Sequence, residues 1–192
     1  MSEESSLSRR GVLATFVAAS LAILAVAVVT FRSLPVHGAA GAENAASPIY
    51  GVTIPPGYRN WEVIAVDQLV TGKVDQLRAQ LGNEIAIKAY REGTRPFPDG
   101  TIIAALHWNR VPSEDNNKVL AGPFPGAQSF VVGSRKNMQI MVKDSKKYAA
   151  TGGWGFADFT GDKPGDEALH KTCFPCHAPA KAQDFVFTHY AP

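Results

Sequence analysis

The chain has 192 residues, of which 45% are hydrophobic, and a formal net charge of +2. Residues 1–42 carry three arginines and two glutamates, so residues 43–192 keep 16 basic and 15 acidic side chains, a net charge of +1. A near-neutral balance argues against nucleic acid as a partner. Residues 43–192 are numerous enough for one domain with a sizeable core.

The N-terminal stretch has the character of an export signal or a membrane anchor. Residues 11–31 contain no charged side chain and follow Arg9 and Arg10. Their length favours a spanning helix, which needs about 20 apolar residues. A small-x-small cleavage site at residues 40–42 favours a cleaved signal. Both alternatives stay open, and both predict a periplasmic domain, with residues 1–42 as signal or anchor plus linker and residues 43–192 as the exported domain.

The first half of the exported domain is predicted to contain strands and one helix. Residues 61–66 and 101–108 are apolar, β-branched runs typical of strands. Residues 67–81 have apolar side chains at helical spacing, which predicts a helix ended by Gly82. Residues 84–90 alternate between two faces, which predicts another strand.

The second half predicts more sheet and a terminal helix. Residues 129–133 and 138–143 are predicted to pair as a hairpin joined at residues 133–137, and residues 154–159 form a further strand. Asp166 is a predicted N-cap for the helix that follows. Six short strands with a few helices predict an α+β fold with a mostly antiparallel β-sheet.

The motif Cys173-Phe174-Pro175-Cys176-His177 contains both cysteines of the chain. Two thiols at this spacing, followed at once by histidine, are typical of a c-type haem attachment site. Cys173 and Cys176 would form thioethers to one covalently bound haem, and His177 would ligate its iron. A disulfide would not require His177, and a zinc site requires four ligands, for which no second pair exists.

Four stretches carry a resemblance to a known family. They are Phe97-x-Asp99-Gly100-Thr101, Val142-Lys143-Asp144-Ser145-Lys146, Gly153-Trp154-x-Phe156, and the cysteine motif with Val186-Phe187-Thr188 behind it. In this order they resemble the cytochrome P-460 family, which includes the β-sheet cytochromes c′, over about residues 48–192. The resemblance implies an antiparallel sheet, frequent dimers, and a five-coordinate haem iron ligated by His177. It also implies that the open face of the haem binds small ligands such as nitric oxide.

The sequence departs from the hydroxylamine-oxidising members of that family at two positions. In those members, the resemblance implies, a strand lysine is bonded to the porphyrin and a distal carboxylate handles protons. The lysine position falls at Ala105 and the carboxylate position at Gln139. Alanine cannot form the cross-link, and an amide cannot serve as a general base.

Strand alternation places further candidates beside the haem. Ile103, Ala105 and His107 share one face, and Gln139 shares a face with Met141 and Lys143. His107 is a candidate hydrogen-bond donor, proton shuttle or sixth ligand, with an ordinary histidine at the sheet rim as the alternative. Gln139 is a candidate polar group of the pocket, with an exposed amide as the alternative.

Other side chains have weaker claims. Met138 and Met141 are candidate iron ligands, although strand methionines more often fill the core. Aromatic side chains could form an apolar wall over the haem or ordinary core: Phe130, Trp154 and Phe156. Lysines could form a docking patch or pair with the propionates, although a solvated face is the better interpretation: Lys143, Lys146, Lys147 and Lys171.

The sequence thus favours a periplasmic monohaem c-type cytochrome that binds a small gaseous or nitrogenous ligand. One alternative is an oxidoreductase acting on hydroxylamine or nitric oxide, and another is a simple electron-transfer cytochrome with six-coordinate iron. The expected partners are the small ligand, a redox protein, a second copy of the chain, and the membrane if residues 11–31 stay attached.

Overall fold

The computed structural model describes residues 45–191. The predictions for residues 1–42, including the signal or anchor at residues 11–31, lie outside the described residues. Within residues 45–191, no helix is long and apolar enough to cross a membrane.

One six-stranded antiparallel sheet forms the framework, and each strand pairs with the next one along the chain. The strands are β1 (Glu62–Val70), β2 (Asp75–Gly82), β3 (Ile102–Pro112), β4 (Phe130–Lys143), β5 (Trp154–Thr160) and β6 (Lys163–Pro164). The helices are α1 (Glu84–Glu92), α2 (Glu114–Leu120) and α3 (Glu167–His177), with short 3-10 helices at Tyr58–Asn60, Ala149–Thr151 and Ala178–Gln183. This arrangement confirms the predicted α+β fold.

The helix predicted over residues 67–81 is wrong, because this segment is the hairpin of β1 and β2. The turn between the strands is closed by Thr71, whose hydroxyl accepts hydrogen bonds from the backbone N–H groups of Lys73 and Val74. Apolar residues of two short strands around a four-residue turn fell by coincidence at helical spacing. Pairing with β3 on the other side of β2 outweighs the weak helical propensity of the segment.

The strand predicted at residues 84–90 is also wrong, because these residues form α1. The side chain of Asn83 caps the helix by accepting from the N–H of Ala86. Gly93 ends it in the left-handed conformation, donating its N–H to the carbonyls of Ala89 and Tyr90. The buried side chains lie at helical rather than alternating spacing: Ala86, Ile87, Ala89 and Tyr90.

The hairpin predicted at residues 129–143 is wrong as well, since β4 runs straight through Gly133. A β-carbon on Gly133 would lie 2.8 Å from a methyl group of Val111 and 3.2 Å from the carbonyl oxygen of Asn109. Glycine at this position therefore allows β3 and β4 to approach closely and does not form a turn. The register between β3 and β4 shifts twice in this part of the pair.

The remaining elements agree with the predictions. The strand predicted at residues 61–66 lies mainly in β1, the one at 101–108 in the longer β3, and the one at 154–159 in β5. Asp166 caps α3 by accepting from the N–H of Leu169. The core combines buried side chains of β1–β5 and α1 with the stretch from Tyr50 to Tyr58, so the sheet that bears the core also bears the site.

Candidate functional site

A cavity of about 680 Å³ lies between the sheet and the C-terminal part of the chain. Side chains of β1–β5 line it on one side, and α3 with residues 186–188 lines it on the other. Its volume falls within the range of cofactor sites, about 300–1,000 Å³. The cavity brings the cysteine motif together with the sheet positions that the sequence singled out.

Helix α3 carries Cys173, Cys176 and His177 to the cavity. A fully buried histidine, His170, fixes this helix to the sheet. Its Nδ1–H donates to the carbonyl of Asp166 at 2.7 Å, and its Nε2 accepts the N–H of Asp158 in β5 at 3.2 Å. The motif is therefore attached to the strand that it faces.

The imidazole of His177 is held on several sides. Its Nδ1 lies 2.8 Å from the carbonyl oxygen of Phe185, which can only accept, so Nδ1 carries the proton. Nε2 consequently has a free lone pair, the form needed to ligate a metal. The rings of Phe156 and Phe187 lie 5.0 and 5.2 Å from the imidazole. Burial lowers the pKa of His177, and the Phe185 hydrogen bond opposes this effect. The lowered pKa favours the neutral imidazole, which is the form that ligates a metal.

The two cysteines are free thiols in different surroundings. Cys173 is partly buried, whereas Cys176 is exposed. Burial, together with smaller effects of Asp158 and Cys176, raises the pKa of Cys173 to about 11. The Cys173 thiol of the folded chain is therefore protonated at neutral pH and a poor nucleophile.

The sheet wall is apolar along one row of paired residues. Ile103 on β3 pairs with Met141 on β4, which pairs with Phe156 on β5. All three line the cavity, and together they form a surface suited to the flat apolar body of a cofactor.

The next row is polar and has the smallest side chain at its centre. Ala105 pairs with Gln80 on one side and Gln139 on the other, and Gln139 pairs with Asp158. Asp158 is buried, and its carboxylate accepts hydrogen bonds from Gln139 at 3.0 Å and from Asn137 at 2.6 Å. The amide nitrogen of Gln139 is therefore engaged with a carboxylate that lines the same cavity.

His107 follows Ala105 by two positions on β3, and both residues line the cavity. It is only 4% exposed, and its Nδ1 lies 3.1 Å from the amide oxygen of Gln76. Its Nε2 is buried without a hydrogen-bond partner. Burial and, to a smaller extent, the positive charge of Arg78 lower the pKa of His107 to about 4, against the opposing effects of Asp158 and Asp67. The ring is therefore neutral at physiological pH.

An ion pair completes the polar end of the cavity. Arg78 donates to both carboxylate oxygens of Asp67, at 2.6 and 3.0 Å. Gln80 donates its amide nitrogen to the same carboxylate, which leaves its buried oxygen without a partner. Unsatisfied buried polar atoms are rare in folded proteins. Their presence on Gln80 and His107 is consistent with a site that binds a further polar group.

Comparison with protein families shows to which family the chain belongs. The family model named Cytochrome P460 matches residues 55–188, well over half of the chain. The chain belongs to the cytochrome P460 family. No curated protein matches the chain in a sequence search. Membership supports a haem-binding cytochrome.

The described residues fit the haem of a cytochrome P460-family protein. One cavity of suitable volume receives both thiols and an imidazole with a free Nε2 lone pair. The apolar row from Ile103 to Phe156 offers a surface for the porphyrin. The side chains of Gln80 and His107 offer polar atoms that have no hydrogen-bond partner in the described residues.

Some predicted residues of this cytochrome lie away from the cavity. Met138 is fully buried and is not among the lining residues, whereas Met141 is. Trp154 packs edge-on against Phe97, and Phe130 is 37% exposed under the guanidinium of Arg110. Neither aromatic ring lines the cavity, so of the predicted aromatic wall only Phe156 does.

The interpretation of Lys143 as part of a solvated basic face is wrong. This lysine is only 5% exposed and forms a buried ion pair with Asp184. Lys146 and Lys147 lie in an exposed turn, and Lys171 pairs with Glu167 on the exposed side of α3.

Sequence reasoning missed several site residues of this cytochrome. The wrong helix prediction over residues 67–81 gave no reason to place three of them in the site: Asp67, Arg78 and Gln80. Asp158 could have been found, because it is the one charged residue within an otherwise apolar run from Trp154 to Phe159. A charge in such a strand predicts a partner or a function.

Proposed function

We propose that this protein is an exported, periplasmic monohaem c-type cytochrome that binds a small ligand such as nitric oxide. Cys173 and Cys176 would hold the haem covalently, and His177 would ligate its iron. The observation that carries the proposal is the His177 imidazole, whose Nδ1–H is donated to Phe185 and whose Nε2 lone pair remains free in a cavity shared with both thiols. Bound haem supplies an iron that coordinates small molecules and changes oxidation state.

The chain's own residues would shape the site around the haem. His177 is kept neutral and oriented by Phe185, between the rings of Phe156 and Phe187. Ala105 leaves space at the centre of the sheet wall, where a longer side chain would project into the cavity. The neutral His107 offers Nε2 as an acceptor to a ligand that carries a proton.

The decisive test is an optical spectrum of the oxidised and reduced protein, with and without nitric oxide, followed by a pyridine haemochrome measured after denaturation. We expect a normal c-type haemochrome and a high-spin native spectrum that changes when nitric oxide is added. A low-spin spectrum that His107→Ala converts to high spin would instead support the six-coordinate electron-transfer cytochrome. Haem that is extracted by acid and organic solvent would contradict covalent attachment.

A second candidate function is oxidation of hydroxylamine, and Asp158 is the observation that favours it. The sequence indicated that the distal carboxylate was lost at Gln139, yet Asp158 is the direct cross-strand partner of Gln139 and also lines the cavity. A carboxylate at this place can accept protons from a substrate.

Turnover of hydroxylamine with an artificial one-electron acceptor tests this candidate. Activity that disappears in Asp158→Asn, while the haem spectrum stays unchanged, would support it. Absence of turnover in the wild type would leave ligand binding as the function. Thr172→Ser, a conservative change elsewhere in the cavity lining, is the matched control.

A further inference from the structure

A buried ion pair lies beside the C-terminal segment that carries Phe185. The Nζ of Lys143 lies 2.8 and 2.9 Å from the two carboxylate oxygens of Asp184, and both side chains are less than 10% exposed. Lys143 also donates to the carbonyl of Gly152 at 3.0 Å, and Asp184 accepts the N–H of Phe97 at 2.8 Å. The pair thus joins the end of β4, the turn before β5 and the segment after α3.

Buried ion pairs are not efficient stabilisers, because desolvation offsets much of the attraction between the charges. This one coincides with unfavourable backbone geometry. Asp184 and Phe185 have φ angles of 53° and 64°, in the left-handed region that residues other than glycine seldom adopt. Two such residues in succession persist only where the surroundings hold them. The pair and its hydrogen bonds provide that hold at Asp184.

The backbone fixed in this way directs the Phe185 carbonyl at the Nδ1–H of His177, at 2.8 Å. The Phe185 ring is held from the same side. A β-carbon on Gly152 would lie only 2.1 Å from that ring, so only glycine permits this close approach. Lys143 hydrogen-bonds to Gly152, which lies against the Phe185 ring, and to Asp184, which precedes Phe185 in the chain. It therefore links the two neighbours of Phe185.

We propose that Lys143 and Asp184 are positioning residues for His177. By holding the Phe185 carbonyl in place, the ion pair maintains the hydrogen bond to Nδ1–H and so increases the electron donation of Nε2 to the haem iron. Hydrogen bonds from a ligating histidine to a second group raise the basicity of the ligand, and a stronger donor favours ferric iron. This inference rests on the proposed function, because it requires His177 to ligate iron.

The test compares Lys143→Met and Asp184→Asn with the wild type, as holoproteins. Two quantities are measured: the iron–histidine stretching frequency of the ferrous protein by resonance Raman spectroscopy, and the reduction potential. We expect Lys143→Met to lower the frequency and raise the potential. Asp184→Asn should shift both in the same direction by less, because its amide oxygen still accepts from Phe97 and Lys143. Ile64→Ala, a change in the fully buried core outside the cavity lining, is the control for lost stability and should shift neither.

The outcomes separate this inference from the proposed function. If the wild type shows no iron–histidine band, its ferrous iron is not a five-coordinate centre ligated by histidine, and the proposed function is wrong. If the band is present but both variants keep the wild-type frequency and potential, only the positioning role is overturned. Equal shifts in Ile64→Ala would overturn it too. Should Lys143→Met fail to fold, Asp184→Asn decides the question alone.

Discussion

On the α3 side of the cavity, the cysteine motif and the hydrogen-bond partner of His177 are near one another in the chain, whereas on the sheet side the interacting residues are far apart. Phe185 is 8 positions from His177, and Cys173 and Cys176 belong to the same helix. By contrast, His107 and Gln76 are separated by 31 positions, and Gln139 and Asp158 by 19. The positions predicted to attach the cofactor are thus close in the chain, whereas those of the sheet side are brought together by the register of four strands.

The two sides also differ in how their polar atoms are satisfied. On the α3 side, His170 uses both ring nitrogens and the Nδ1–H of His177 is paired. On the sheet side, buried atoms of His107 and Gln80 have no partner. Under the proposed function, α3 would hold the haem and the unpaired atoms of the sheet side would face the small ligand.

The largest effect should come from removing both thiols. In Cys173→Ser/Cys176→Ser, we expect complete loss of covalent haem, because serine cannot form the thioether. The measurement is haem staining after denaturing electrophoresis. Each single substitution is the control and should keep haem through the remaining thiol. Haem retained by the double variant would contradict attachment at the motif.

A pH experiment tests the sheet side. The pKa of His107 is lowered to about 4 from its ordinary 6.5, so the unfolded chain binds a proton that the folded chain rejects. The free energy of unfolding therefore decreases as the pH is lowered from 6.5 to 4, because protonation of His107 favours the unfolded chain. The shift corresponds to roughly 3 kcal/mol in the free energy of unfolding.

Urea denaturation of the holoprotein at pH 7 and at pH 4 measures this loss. His107→Gln should remove about that part of the pH dependence, since glutamine does not titrate. The same substitution at the exposed His189 should leave the pH dependence intact. A His107→Gln protein that loses stability with decreasing pH as steeply as the wild type would show that His107 is not buried as described.

His170→Leu tests the anchor between α3 and the sheet. The substitution leaves the buried N–H of Asp158 without its partner, whereas the carbonyl of Asp166 still accepts the backbone N–H of residue 170. We expect a loss of about 2 kcal/mol in the free energy of unfolding, measured by urea denaturation. The spin state of the haem should stay unchanged if His170 only anchors the helix, and a changed spin state would indicate a more direct role.

The smallest effect should follow from Lys171→Ala on the exposed side of the same helix. Lys171 and Glu167 form an ion pair in which both side chains are more than half exposed. Such solvated pairs contribute little, so the free energy of unfolding should hardly change. A loss comparable to that of His170→Leu would contradict the distinction between a buried anchor and a solvated pair.

Sequence reasoning predicted the fold class, which the structure confirms, but misplaced several elements. Asp166 and the cysteine motif were predictable because a helix cap and a haem motif are both determined within a few residues. The hairpin at residues 67–81 and the continuous β4 were not, because apolar spacing is ambiguous in short segments and Gly133 suggested a turn. Only contact with Val111 and Asn109 explains that glycine.

The sequence by itself determined that Cys173, Cys176 and His177 are neighbours in the chain, so the prediction of haem attachment there needs no distant partner. It also predicted that His107 shares a face with Ala105, because strand alternation is a local rule, whereas the family resemblance is what assigned Gln139 to the same site. The tertiary structure alone decided that Asp158 stands beside Gln139, that Nε2 of His107 is unpaired, and that Lys143 is buried with Asp184. Those facts depend on strand register and long-range packing, which local pattern does not specify.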